Sequence, residues 1–122
     1  MNLIDILETF AQEVPSLIAC SVVSIADGTS IGAVGDTQTF DAAAIDAYFA
    51  EVVKKNQTAL STLGIDSATE DILVTSSSTL FLVRSLPQTS YFWNVIISSR
   101  GSLGLTRALM RKYEADVLHA LP

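Results

Sequence analysis

The sequence has little of what most enzymes and nucleic-acid-binding proteins use. Its 122 residues include one cysteine and one histidine, and 7 basic side chains stand against 13 acidic ones. The lone histidine, His119, provides no parts for a histidine-based triad or a multi-histidine metal site. A formal net charge of -6 leaves no basic stripe to displace counterions from phosphates or to dock on anionic lipid. We therefore expect no catalytic centre, no cofactor and no nucleic-acid partner.

Cysteine pairs and long apolar runs are also missing. Cys20 has no second cysteine to pair with, and it falls in a predicted core strand, where a small buried side chain is the expected role. The uncharged runs 14–26 and 72–83 are too short to span a bilayer. Asp5 and Glu8 stand where a signal peptide would carry basic residues. These features predict a cytoplasmic protein without membrane insertion.

What is present predicts eight secondary-structure elements in one domain that covers residues 1–122. Apolar residues spaced three and four apart predict helices, and alternating or continuous apolar runs predict strands. Asn2 is placed to cap the first helix, and Pro15 and Gly64 to end the first and second. The predicted helices are 3–14, 41–63 and 102–119, and the predicted strands are 17–25, 30–34, 72–75, 80–86 and 91–98. The order α-β-β-α-β-β-β-α indicates an α+β fold.

Three glycines, Gly28, Gly32 and Gly35, in the stretch "SIADGTSIGAVGD" raise the question of a phosphate-binding loop. A Walker loop needs a lysine after its last glycine, but the first lysine of the chain is Lys54. The spacing G-x-x-x-G-x-x-G also fails the dinucleotide fingerprint. Asp27 followed by Gly28 instead predicts a hairpin turn, because glycine tolerates positive φ.

The second helix and the third strand are the two candidate interaction elements. Projection of the helix at about 100° per residue places Ile45, Phe49 and Val52 on the core side. A ridge of small residues, including Ala43, Ala47 and Ala50, lies opposite and would let another backbone approach closely. Alanine is, however, also the best helix former on any exposed face. The third strand has no proline or lysine to prevent pairing with a second chain, if it lies at a sheet edge.

The chain resembles the roadblock / dynein light-chain family. Three features carry the resemblance: the hairpin "VVSIADGTSIG" after a helix ended by Pro15, the long alanine-rich second helix, and "GSLGLTRALMRKY" at the start of the last helix. The resemblance implies a profilin-like or longin-like fold. In that fold a five-stranded antiparallel sheet has the first and last helices on one face and the long helix on the other.

The resemblance also implies a non-catalytic homodimer that regulates or recruits a small Ras-like GTPase. Two copies would join through the second helix and the third strand into one continuous sheet. Carried onto this chain, it implies partner-binding residues Ala43, Ala47, Ala50, Glu51 and Lys54, and dimer-interface residues Ile72 and Val74. The expected mechanism holds the switch loops of the GTPase in a productive arrangement. An arginine finger is the other mechanism, with Arg84 and Arg100 as candidates, although both arginines are also typical solubilising residues.

The sequence is also compatible with two other functions. A structural scaffold subunit would hold a larger complex together without changing nucleotide turnover, and composition does not separate it from a GTPase regulator. A small-molecule sensor would need a pocket beside Trp93 and Cys20, which the sequence neither excludes nor requires.

Overall fold

The computed structural model describes residues 1–36 and 40–122. Its elements follow the predicted order, and their boundaries differ from the predicted ones by one residue at most. The helices are α1 (Leu3–Glu13), α2 (Ala42–Thr62) and α3 (Leu103–His119). The strands are β1 (Leu17–Ser24), β2 (Ser30–Gly35), β3 (Ile72–Thr75), β4 (Thr79–Ser85) and β5 (Tyr91–Ser98).

The strands form one antiparallel sheet in the order β2-β1-β5-β4-β3. The strands β1, β5 and β4 therefore lie inside the sheet, and β2 and β3 lie at its edges. Side chains of β1 and β5 are buried on both faces, which explains why these strands are apolar at successive positions. The register of β1 and β5 places Ser21 directly opposite Asn94. The predicted five-stranded antiparallel sheet is confirmed.

Helices cover both faces of the sheet, as the resemblance implied. The helices α1 and α3 pack on one face over Trp93, whose ring centroid lies 4.7 Å from that of Phe10. The long helix α2 packs on the other face over Val23, Val83 and Phe92. Successive side chains of each inner strand thus enter two separate cores.

Local sequence signals set the ends of the helices. The Asn2 side chain accepts a hydrogen bond from the N–H of Asp5 at 2.9 Å, and Asp41 and Ser102 cap α2 and α3 in the same way. Gly64 follows α2 with φ of 69°, the left-handed conformation in which many helices end. The predicted roles of Asn2 and Gly64 are confirmed.

The glycine-containing stretch forms the hairpin turn between β1 and β2. Gly28 has φ of 72°, and its N–H donates to the carbonyl of Ser24 at 2.9 Å. The Asp27 carboxylate accepts from the N–H of Thr29 at 3.0 Å. A Cβ at Gly28 would lie 2.9 Å from the Cα of Ala47, so the turn also packs closely on α2. The hairpin prediction is confirmed.

Candidate partner-binding surface

The buried side of α2 differs from the one that the sequence projection gave. The buried residues of this helix are Asp46, Phe49, Ala50 and Val53. Their spacing of three, one and three is the usual core stripe of a helix. The projection used Ile45 and Val52 instead, which are only half-buried. Compared with the predicted orientation, the helix is thus turned about its axis by nearly the angle between one residue and the next.

This rotation changes the position of Ala50. The residue is 2% exposed and packs in the core beneath α2, so its assignment to the partner-binding surface is wrong. Alanine is common on both buried and exposed helix faces, which is why its identity did not reveal its side. Ala43, Ala47 and Glu51 are exposed, so they remain available to a partner.

Lys54, another predicted partner-binding residue, is engaged within the chain. Its Nζ donates to the carbonyl of Ala26 at 2.9 Å and to the Glu51 carboxylate at 3.2 Å. Ala26 belongs to the hairpin between β1 and β2, so the ammonium group ties this hairpin to α2. Lys54 therefore lies at the margin of the exposed surface of α2 and supports it.

The exposed side of α2 carries an aromatic residue that the projection did not single out. Tyr48 is 63% exposed, and its ring meets that of Phe49 edge-on at 5.3 Å. We define the outer face of α2 as the exposed residues Ala44, Ala47, Tyr48, Glu51 and Lys55. An exposed aromatic ring beside small residues is typical of protein-binding surfaces. A projection with Phe49, Ala50 and Val53 on the buried side would have found this face.

The strand β3 is an open sheet edge. It pairs with β4, and the described residues place no strand on its other side. Ile72 and Val74 are half-buried against the core beneath α2, and Leu73 points to the opposite face of the sheet. One row of backbone groups along β3 is therefore free to pair with a further strand. The predicted interface residues lie on this edge.

Two arginines form ion pairs with residues of neighbouring elements. Nε of Arg84 donates to the Glu114 carboxylate at 2.7 Å, and the Arg84 side chain is only 16% exposed. Arg107 donates two hydrogen bonds to the Asp71 carboxylate, which raises the pKa of the Arg107 guanidinium. Arg84 is therefore unsuited to an arginine-finger role. Arg100, the other candidate, is exposed in the turn before α3.

The region beside Trp93 and Cys20 offers no room for an organic ligand within the described residues. Trp93 is fully buried, and the cavity that touches Cys20 has a volume of about 20 Å³, whereas ligand pockets need several hundred. Burial raises the pKa of the Cys20 thiol to about 12, so the thiol stays protonated. The predicted burial of Cys20 is confirmed, and the cavity beside it is too small for the ligand that the sensor hypothesis requires.

An open groove lies beside the C-terminal half of α2. It has a volume of about 810 Å³ and is bounded by that half-helix, segment 64–70 and the turn between β4 and β5. Residues 1–36 and 40–122 contain no cluster of three His, Cys, Asp or Glu side chains that could hold a metal ion. In the same ranges no helix is both long and apolar enough to cross a membrane.

Comparison with known proteins finds similarity in structure rather than in sequence. No family model matches the sequence, and no curated protein matches it significantly. The roadblock/LC7 domain from Streptomyces avermitilis superposes with a TM-score of 0.85 at 17% identity, covering 98% of this chain and 97% of that one. Myxococcus xanthus MglB gives a TM-score of 0.83 at 18% identity, covering 95% and 84% of the two chains. Myxococcus xanthus MglC gives 0.67 at 22% identity, covering 99% and 100%. The chain therefore has the roadblock/LC7 fold.

Proposed function

We propose that this chain is a non-catalytic, homodimeric module that binds a small Ras-like GTPase through the outer face of α2. The observation that carries the proposal is that the outer face of α2 and the edge of β3 are both uncovered by the other described elements. Both elements pack on the same core, since Ile72 and Val74 contact the cluster that contains Phe49. The likeness to MglB structures and the family resemblance of the sequence support a GTPase as the partner.

The proposed dimer forms by antiparallel pairing of β3 with the same strand of a second copy. Such a two-fold contact is closed, because each copy presents the same edge to the other. It satisfies the free backbone groups of β3 and extends the sheet across both copies. The half-buried side chains of Ile72 and Val74 would be covered further, and the two α2 helices would lie on one side of the joined sheet.

The proposed GTPase contact uses small residues for close approach and one aromatic ring for contact area. Ala44 and Ala47 on the outer face, with the exposed Ala43 beside them, leave space for a partner backbone, and Tyr48 offers a large side chain with few rotatable bonds. Glu51 provides a carboxylate that can accept hydrogen bonds from a switch loop. Arg84 is held by Glu114, which favours positioning of the switch loops over an arginine finger from that residue.

A pair of matched substitutions tests the proposed contact. Ala44→Arg puts a long charged side chain on the outer face of α2, and Ala115→Arg puts the same side chain on the exposed surface of α3. Binding to candidate small Ras-like GTPases is measured by calorimetry. We expect Ala44→Arg to weaken binding by roughly tenfold or more, which corresponds to about 1.4 kcal/mol, and Ala115→Arg to leave it unchanged.

The same preparation separates regulation from scaffolding. Hydrolysis and nucleotide exchange by the GTPase are measured with and without the wild-type chain. A changed rate supports the regulator, and unchanged rates with intact binding support the scaffold alternative. Equal binding by the two arginine variants would contradict the outer face of α2 as the contact surface.

A further inference from the structure

A buried polar cluster, which comprises Ser21, Asp46 and Asn94, lies between α2 and the sheet. The Ser21 hydroxyl donates to Oδ1 of Asp46 at 2.8 Å, and Asp46 is only 4% exposed. Asn94 lies opposite Ser21 on the neighbouring strand and is 1% exposed. Neither its side-chain oxygen nor its nitrogen has a hydrogen-bond partner of normal geometry among the described residues. These three polar side chains lie beside the apolar side chains that pack between α2 and the sheet.

The surroundings of Asp46 disfavour its ionised form. Burial raises the pKa of the Asp46 carboxyl, and the nearby Ser21 hydroxyl and Asn94 amide only partly offset this effect. Both of these partners are neutral, and no cation is among the groups that act on the carboxyl. A buried carboxylate without a cationic partner costs free energy, which its protonation removes.

The other titratable groups around Asp46 do not supply a positive charge that would balance its carboxylate. Just after β2, Asp36 lines the same cavity of about 20 Å³, and as an acidic residue it supplies no positive charge. From β1, Cys20 lines that cavity as a protonated thiol. On α2 itself, Asp41 and Glu51 are exposed and also acidic. The cavity is large enough for one water molecule, which is too little to hydrate a carboxylate fully.

A neutral carboxyl fits the cluster better than a carboxylate does. It can accept the hydrogen bond from Ser21 through one oxygen, and it can donate its own proton to Asn94 when the Asn94 amide is turned so that its oxygen, rather than its nitrogen, faces the carboxyl. Both contacts then hold α2 on β1 and β5 at no electrostatic cost. An ionised carboxyl keeps the Ser21 hydrogen bond but leaves its charge uncompensated in the core.

We propose that Asp46 makes the attachment of the N-terminal half of α2, residues 42–50, to the sheet dependent on pH. Protonated Asp46 fastens this half-helix, and ionised Asp46 lets it open more readily. When the half-helix lifts, the carboxyl enters water and its pKa returns to the usual value. The opening constant therefore rises with pH, by about tenfold for each unit that separates the pKa in place from that in water.

The outer face of α2 includes Ala44, Ala47 and Tyr48, which lie on the same half-helix. Where the proposed GTPase contact holds, partner binding would weaken as pH rises, because an open helix does not present this face intact. This consequence rests on the proposed function, whereas the pH-dependent opening itself does not.

Hydrogen exchange of the isolated chain tests the opening directly and involves no GTPase. Protection factors of amides in 42–50 are measured from about pH 4 to about pH 8, corrected for intrinsic exchange rates and compared with amides of α3 as a reference. We expect the protection of 42–50 to fall relative to α3 as pH rises. Asp46→Asn, which cannot ionise, should remove this fall and retain at least the wild-type protection at the upper end of the range.

Two control variants identify the responsible carboxyl. Asp41→Asn keeps a good helix cap at an exposed position, and Asp36→Asn removes the other carboxyl that lines the cavity. Both should retain the fall in protection with pH. Ser21→Ala removes the hydrogen bond that favours the ionised form, so it should make the fall larger. It also provides a second measurement, should Asp46→Asn not fold.

A protection of 42–50 that follows α3 at every pH would overturn the inference. The inference also fails if Asp46→Asn keeps the wild-type pH dependence, or if Asp36→Asn abolishes it. Failure of the GTPase-binding experiment with Ala44→Arg would leave the hydrogen-exchange result unaffected, so the two proposals fail separately.

Discussion

Arg107 and Asp71 form a two-point ion pair that ties α3 to the start of the edge strand β3. Nε of Arg107 donates to Oδ2 of Asp71 at 2.9 Å, and Nη2 donates to Oδ1 at 3.0 Å. Asp71 immediately precedes β3, so the pair fixes the strand at the point where it enters the sheet. The edge strand β3 has only four residues and therefore few contacts of its own. The ion pair attaches it to α3, which packs on the face of the sheet opposite α2.

Removal of this pair should loosen β3. Arg107→Ala is expected to lower the free energy of unfolding by about 1 kcal/mol, because the pair is partly buried and held by two hydrogen bonds. Urea unfolding of Arg107→Ala, Asp71→Ala and the double variant gives the coupling energy. A coupling near zero would show that the pair does not stabilise the fold.

The side of α2 that faces the core can be tested with two leucine substitutions. Ala50 is buried against the sheet, so Ala50→Leu should overpack the core and lower the free energy of unfolding by about 1–3 kcal/mol. Ala44→Leu adds the same atoms on the outer face and should change it by less than about 0.5 kcal/mol. Chemical denaturation compares the two variants. Equal losses would mean that the helix is not oriented as described.

The order of the elements could be predicted because its signals are local. Pro15, the Asp27-Gly28 turn and Gly64 each act through the conformation of their own backbone, and the apolar spacing distinguishes helix from strand. The orientation of α2 could not be predicted in the same way. Buried acids are rare, so a projection gives Asp46 no place in the core. The burial of Asp46 depends on Ser21 and on a strand that lies far away in the sequence.

The ion pairs of the arginines could not be predicted from the sequence either. Arg84 and Arg107 pair with acids that are 30 and 36 residues away, and nothing in the sequence around them identifies these partners. Exposed arginines and ion-paired arginines have the same local sequence appearance. Only the packing of α3 on the sheet shows that two of them brace β3 and β4.

Glu13 at the end of α1 should titrate below the usual range of a glutamate. Hydrogen bonds from the Tyr113 hydroxyl and the Lys112 ammonium lower the pKa of its carboxyl below 4.5. The folded pKa is the lower one, so the contribution of this group to stability is present above pH 4.5 and is lost as pH falls through the folded value. NMR titration of the Glu13 carboxyl measures this pKa.

Tyr113→Phe is the matched variant for this titration. It removes the hydroxyl and keeps the ring, so the pKa of Glu13 should move up toward 4.5. An unchanged titration in Tyr113→Phe would show that the Tyr113 hydrogen bond does not act on Glu13 in solution.

A variant of the edge strand can block strand pairing and leave the fold intact. The N–H of Ser76 donates to the carbonyl of Thr79 at 2.9 Å. Hydrogen-bonded and non-hydrogen-bonded pairs alternate along an antiparallel ladder. Counted from the Ser76–Thr79 pair, Val74 is therefore hydrogen-bonded to β4, whereas the N–H of Leu73 points away from β4 toward the open edge. Leu73→Pro therefore removes a donor from the open edge without breaking the ladder to β4. Leu73→Ala is the control, because it shortens the side chain and keeps the N–H.

Sedimentation velocity of these three proteins at micromolar concentration is the most direct test of the account, because a partner surface on joined sheets requires two copies. We predict that the wild type and Leu73→Ala sediment with an apparent mass twice the 13.0 kDa of one chain. Leu73→Pro should sediment with the mass of one folded chain. A wild-type protein that sediments as one chain, or a Leu73→Pro variant that remains paired, would contradict dimer formation through β3.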